Sequence, residues 1–151
     1  MKRILGILLV CLFFVLTACN KKSDAALGVG KKMTLVFDAN PTTGFSWTYA
    51  VANDLNMGEL KEISEDYEAN DKTGTLIGGG GHTTYVFEAV KPGKQNLLFV
   101  YRRPWEGGET AYDVIYELNI DENLNITCLS KMKGTVESDI DLGSFPNPVF
   151  E

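Results

Sequence analysis

Few residues of this chain can do chemistry in their own right. Its one histidine, His82, follows a run of four glycines, and no Cys or His cluster suggests a metal site. There is no Ser-containing elbow and no carboxylate motif that would supply an acid and a base. The glycines neither open a helix nor carry the lysine of a phosphate-binding loop. No catalytic residue, metal ligand or cofactor is therefore expected. His82 reads as a loop residue near a contact surface, not as a general base.

Three short stretches suit contact better than catalysis. In Asn40-Pro41-Thr42-Thr43-Gly44-Phe45-Ser46-Trp47, proline fixes its own φ and restricts Asn40 to an extended conformation, while Gly44 supplies a backbone position that other residues dislike. Turn chemistry accounts for a rigid loop there but leaves Thr42 and Thr43, two hydroxyls displayed at its tip, unexplained. In Gly78-Gly79-Gly80-Gly81-His82, each glycine costs on the order of 0.5 to 1 kcal/mol relative to alanine in an ordered setting. A close backbone approach is one reading of that run, and a floppy hairpin connection is the other. In Arg102-Arg103-Pro104-Trp105-Glu106-Gly107-Gly108, a tryptophan stiffened by proline combines with arginine, the two residue types most enriched among interface hot spots. Alternatively, Trp105 folds back as a cap over the end of the domain.

The elements that must position these stretches alternate with a period of two. Met33-Leu35-Phe37, Phe45-Trp47-Tyr49-Val51, Tyr85-Phe87-Ala89, Leu97-Phe99-Tyr101 and Tyr112-Val114-Tyr116-Leu118-Ile120 read as half-buried strands. Turn signals separate them at Asn40-Pro41, Asn53-Asp54, Asn70 to Lys72, Gly78 to Gly81, Lys91 to Gly93 and Glu106 to Gly108. Weaker strands at Leu60 to Ile63 and Thr75 to Ile77 bring the count to about seven, and Leu124 to Leu129 can hairpin onto the last sheet. The expected fold is all-β, an immunoglobulin-like antiparallel β-sandwich. The domain is expected over residues 32–130, with a loosely ordered acidic tail at 131–151.

Taken in order, the three stretches resemble the chagasin family of inhibitors of papain-like cysteine peptidases. The family pattern is N-P-T-T-G-[FY]-x-W, then G-x-G-G, then R-P-W. This chain carries Asn40 to Trp47, Gly78 to Gly81 and Arg103 to Trp105. Each motif is weak alone, but the ordered triplet is specific. The resemblance covers about residues 32–120; the wildcard of the second motif is itself glycine, and Arg102 is an extra arginine before the third. It implies a reversible, tight-binding, non-covalent inhibitor whose three loops gather at one end of the sandwich and occlude the peptidase cleft. The residues it implicates are Asn40, Pro41, Thr42, Thr43, Gly44, Phe45, Gly78, Gly80, Gly81, His82, Arg103, Pro104 and Trp105. Thr42 and Thr43 would face the catalytic cysteine and histidine, the glycines would run beside the non-prime subsites, and Trp105 would pack on the prime side. A non-inhibitory lipoprotein module binding peptide or glycan explains Trp105, though not the threonine pair.

The amino terminus reads as an export signal. Lys2 and Arg3 precede an apolar run from Ile4 to Leu16, too short to span a bilayer comfortably, and Leu16-Thr17-Ala18-Cys19 resembles a bacterial lipobox. An ordinary cleavage site with a chance cysteine is the alternative. Residues 1–18 would be removed, Cys19 acylated, and residues 19–31 left as a flexible tether, giving an extracytoplasmic protein of the cell envelope held to a bacterial membrane by lipid. Lys2 and Arg3 leave with the signal, so fourteen basic residues become twelve against twenty acidic ones, a net charge of −8. That balance argues against nucleic acid as a partner. A monomer is expected, with a papain-like cysteine peptidase and the membrane as partners. Cys128, without a partner in an apolar-alternating segment, reads as a buried small hydrophobe or, alternatively, a free reactive thiol. If Cys19 carries the lipid, Cys19→Ser should abolish metabolic labelling with palmitate; undiminished label would refute the assignment.

Overall fold

The computed structural model describes residues 27–51, 58–73 and 78–151. Its strands are β1 (Val29–Gly30), β2 (Lys32–Ala39), β3 (Ser46–Val51), β4 (Leu60–Ala69), β5 (Gly81–Ala89), β6 (Gly93–Arg102), β7 (Thr110–Ile120), β8 (Ile126–Lys133) and β9 (Val149–Phe150). Seven are longer than two residues, and all pair antiparallel in two sheets, ordered β1-β8-β7-β6-β3 and β4-β5-β2-β9. This is the immunoglobulin-like sandwich that the alternation predicts. The weak strand at Leu60 to Ile63 is the start of β4, and Leu124 to Leu129 becomes β8. The expected strand at Thr75 to Ile77 and the turn at Asn53-Asp54 lie outside the described residues, as do residues 1–18 and Cys19.

Strand alternation places the core. Met33, Leu35 and Phe37 of β2, Tyr85 and Phe87 of β5, Leu97 and Phe99 of β6, and Val114, Tyr116 and Leu118 of β7 all point between the sheets and are fully buried. Burying each large side chain contributes roughly 1.5–3 kcal/mol, so this layer carries most of the hydrophobic stabilisation. Cys128 joins it from β8, and burial pushes its thiol up to about 11, which makes it an inert hydrophobe at neutral pH.

Both ends of the domain extend beyond the expected limits. Residues 131–151, expected to be loosely attached, are docked. β9 pairs with Met33 and Thr34 of β2, the Phe145 ring is buried, and the Tyr116 hydroxyl donates to the Pro146 carbonyl at 2.7 Å. Lys131 Nζ donates to the Phe145 carbonyl at 2.7 Å and to Asn147 Oδ1 at 2.8 Å. Isolated anchors without a period give a tail no signature in sequence, yet each finds a partner in a strand far away. The expected tether likewise begins to order at Leu27, whose N–H donates to the Cys128 carbonyl at 3.0 Å, and β1 pairs with β8. Gly28 and Gly30 are close-approach positions. A Cβ at Gly30 would lie 2.6 Å from the Glu151 carbonyl oxygen, and one at Gly28 would meet the Phe150 ring.

The docked tail should therefore be a cooperative part of the domain. Phe145→Ala should lower unfolding free energy by about 3 kcal/mol or more, as for a buried phenylalanine, while Val149→Ala, 61% exposed beside it, should change it by less than about 0.5 kcal/mol. Denaturant titration measures both; equal small effects would mean that the tail frays before the sandwich unfolds.

Candidate functional site

Sheet pairing puts the three stretches at one pole. Ala39 at the end of β2 pairs with Gly81 at the start of β5, which also pairs with Ala69 at the end of β4, while Ser46 of β3 pairs with Arg102 of β6 and Arg102 with Thr110 of β7. The β2–β3, β4–β5 and β6–β7 connections therefore leave the sandwich together.

The β2–β3 connection is built by local sterics. Asn40 is extended at φ −137°, Pro41–Thr43 form a 3₁₀ turn, and Gly44 closes it at φ 81°, where its N–H reaches the Pro41 carbonyl at 2.9 Å. The threonine hydroxyls are not free donors at the tip. Thr42 donates to Asn40 Oδ1 and Thr43 to the Asn40 carbonyl, both at 2.6 Å, so outward each has lone pairs to offer. Asn40 is the hub: its N–H donates to the Tyr101 hydroxyl oxygen at 3.1 Å and its side-chain amide to the Gly78 carbonyl at 3.2 Å. Tyr101, read only as a strand residue from the alternation, thus holds the first loop from β6 across 61 residues.

The glycines divide by role. Gly78 and Gly80 have φ of 85° and 63°, a left-handed backbone that suits glycine. Gly81 is not in the loop but in β5, where a Cβ would collide with the Glu68 carbonyl oxygen and sit 2.7 Å from the Tyr67 hydroxyl oxygen. His82 is corrected too. It is a strand residue on the exposed outer face of the sheet, with Nδ1 3.0 Å from Asp38 Oδ1, because β5 starts one residue before it. Its neighbour Glu68 is held below the usual carboxylate range by the Lys72 ammonium at 2.6 Å and more weakly by His82.

In the β6–β7 connection, the Arg103 N–H donates to the Glu109 carbonyl and the Gly108 N–H to the Trp105 carbonyl, both at 2.9 Å. Pro104 is exposed, and Trp105 keeps 53% of its surface in solvent, so it is no cap on the sandwich end. One side of its ring covers Gly44, where a Cβ would be 3.0 Å from the indole Cη2. The Arg103 guanidinium stands 4.6 Å from the Phe45 ring centre. The first loop therefore touches both others, Gly78 through Asn40 and Trp105 through Gly44. Among the described residues, no group of three or more His, Cys, Asp or Glu side chains converges as metal ligands do.

A family model described as "Chagasin family peptidase inhibitor I42" matches residues 26–120. The chain belongs to the chagasin family. That family is one of inhibitors, not of enzymes. Amoebiasin-1 of Entamoeba histolytica is 27% identical over 106 residues, covering 70% of this chain and 96% of that protein. Chagasin of Trypanosoma cruzi is 25% identical over 92 residues, covering 60% of this chain and 82% of that one. The crystal structure of the cysteine protease inhibitor EhICP2 from E. histolytica superposes with a TM-score of 0.50 at 19% identity, over 59% of this chain and 78% of the other, a likeness of fold. Residues from Asp121 onward, with β8 and β9, lie outside the family match.

The geometry separates structural from displayed glycines. Gly81→Ala should cost more than about 2 kcal/mol because backbone must move, whereas Gly107→Ala, at φ 70° with open space around it, should cost about 1 kcal/mol. Melting temperatures of the two variants test this, and a milder Gly81→Ala would mean that the β4–β5 pairing is loose at this pole.

Proposed function

We propose that this protein is a reversible, tight-binding, non-covalent inhibitor of papain-like cysteine peptidases, which plugs the active-site cleft with its three-loop pole. The observation that carries the reading is the convergence of the family's three motifs into one surface in which the first loop stands between the other two, joined through Asn40 to Gly78 and through Gly44 to Trp105. Membership of an inhibitor family and the named target class of a relative of like fold agree with it. Inhibition is steric. Thr42 and Thr43 meet the peptidase's catalytic pair as hydrogen-bond acceptors, the glycines lay bare backbone along the cleft, and Trp105 supplies apolar area. Hydroxyl donors already satisfied within the loop, and a backbone held by Pro41 and Tyr101, leave little entropy to lose on binding.

The proposal extends to location: Cys19 carries lipid, and the chain is held at the outer face of a bacterial membrane. Leu27 and β1 lie at the pole opposite the loops, since β2 runs from Lys32 there to Ala39 beside them. Seven residues between Cys19 and Leu27 reach at most about 25 Å, so the lipid is tied to the side of the domain away from the loops.

Inhibition constants against papain test the reading. Trp105→Ala should weaken inhibition by about 2 kcal/mol or more, and Thr43→Ala by about 1 kcal/mol. Thr43→Asp should do more harm than Thr43→Ala, because a charge forced into the cleft is desolvated without a partner. Three variants that melt and inhibit like the parent would overturn the loop mechanism and favour a binding module without inhibitory activity.

A further inference from the structure

The third loop is fastened to the first by more than apolar contact. The Arg103 guanidinium has Cζ 4.6 Å from the Phe45 ring centre and 5.7 Å from that of Trp105. Phe45 stacks on Tyr101 at 5.3 Å, and Tyr101 lies parallel to Tyr112 at 5.8 Å. A continuous pile of flat groups therefore runs from the sheet to the tip: Tyr112, Tyr101, Phe45, Arg103, Trp105. Glu109, on the return of the same loop, steadies the cation, with Oε2 3.6 Å from Nη1. Arg103 Nε is screened from solvent without an acceptor among the described residues, so the side chain works here as a cation over π faces more than as a hydrogen-bonding fork.

Trp105 needs such a support. It is half exposed at the tip of a turn, with Gly107 at positive φ behind it and Gly44 against its ring. An indole free to sample rotamers would have to be ordered on binding, at a cost in affinity. Glycine at position 44 serves the same end, since a side chain there would lift the ring off the loop.

We propose that Arg103 is a positioning residue that holds the Trp105 indole in its binding pose in the free protein, by lying across the Phe45 and Trp105 rings and so making the first and third loops one rigid surface. The functional consequence rests on the reading that Trp105 meets the peptidase. Arg103 then contributes to inhibition through Trp105, not by a contact of its own.

Two measurements on the purified full chain decide it. The first is the order parameter of the ¹⁵N-labelled indole N–H groups, with buried Trp47, the other of the two tryptophans, as internal control. Arg103→Met should loosen the Trp105 indole and leave Trp47 unchanged. Arg103→Lys, which keeps the charge but not the plane, should fall between. An indole equally ordered in Arg103→Met would overturn the proposal whatever the inhibition data say. The second is a double-mutant cycle against papain. Arg103→Met should raise the inhibition constant about tenfold in the parent, in the range of a cation–π contact, and by less than about twofold in a Trp105→Ala background. An equal loss in both backgrounds would mean that Arg103 touches the peptidase directly and would refute the positioning role. If Trp105→Ala itself leaves inhibition unchanged, the assignment of the binding pole fails instead, and the order parameters still report on Arg103.

Discussion

Phe37 lies in the middle of the space between the sheets, its ring centre 4.3 Å from that of Trp47 and 4.7 Å from that of Phe99, with Tyr85 and Tyr116 set nearly perpendicular to it. An aromatic layer of this kind does two jobs at once. Its faces supply the apolar area that holds two sheets together, and the tyrosine and tryptophan members must place a polar atom somewhere. Here those polar atoms end on backbone: Trp47 Nε1 donates to the Asp38 carbonyl at 2.8 Å, the Tyr85 hydroxyl to the Trp47 carbonyl at 3.0 Å, and the Tyr116 hydroxyl to Pro146. The layer thereby fixes the end of β2, just before the first loop, and draws the carboxy-terminal tail across to the facing sheet.

At the open side of the sandwich the same residue types meet carboxylates. Tyr49 donates to Glu62, and the Tyr85 hydroxyl, with one proton to share between the Trp47 carbonyl and Glu65, lies 3.0 Å from that carboxylate too; burial, with the neighbouring carboxylates, raises both phenols well above their ordinary value. Neutral donors paired to carboxylates tie edge strand β4 down without a buried cation. The row of acidic residues along β4, Glu62, Glu65, Asp66 and Glu68, also discourages pairing with a stray strand. The loop pole sits on a frame whose β4 edge is tied down and charged.

Among the described residues, that pole is made of side chains already engaged with one another. Its threonine hydroxyls are tied to Asn40, its glycines shape backbone, Arg103 lies over the Phe45 and Trp105 rings, and the sole histidine faces outward from a strand. Such a surface is built for fit, which is what the proposed occlusion of a peptidase cleft requires. Rigidity is supplied at three levels: proline and left-handed glycine in the backbone, Asn40 and Tyr101 between loop and strand, and the stack from Tyr112 to Trp105 between loops.

How far the sequence could be read follows from the range of the forces involved. The strands and their inward faces were legible because pleating is local and forces a period of two. The shape of the first loop was legible too, because Pro41 and Gly44 restrict backbone through their own atoms. Other features depended on partners distant in the chain. The tail docks because Tyr116 and Lys131 wait for it, and the glycines at 28 and 30 serve residues 150 and 151. Gly81 and His82 belong to a strand because β4 pairs with them, which no run of four glycines announces. By itself the sequence determined an antiparallel sandwich with its strands, its inward faces and the shape of its first loop, through steric rules that act within a few residues. Only the tertiary structure decided which hydroxyls are already spent, which glycine is a close approach and which arginine stacks, because each depends on an atom brought near by folding.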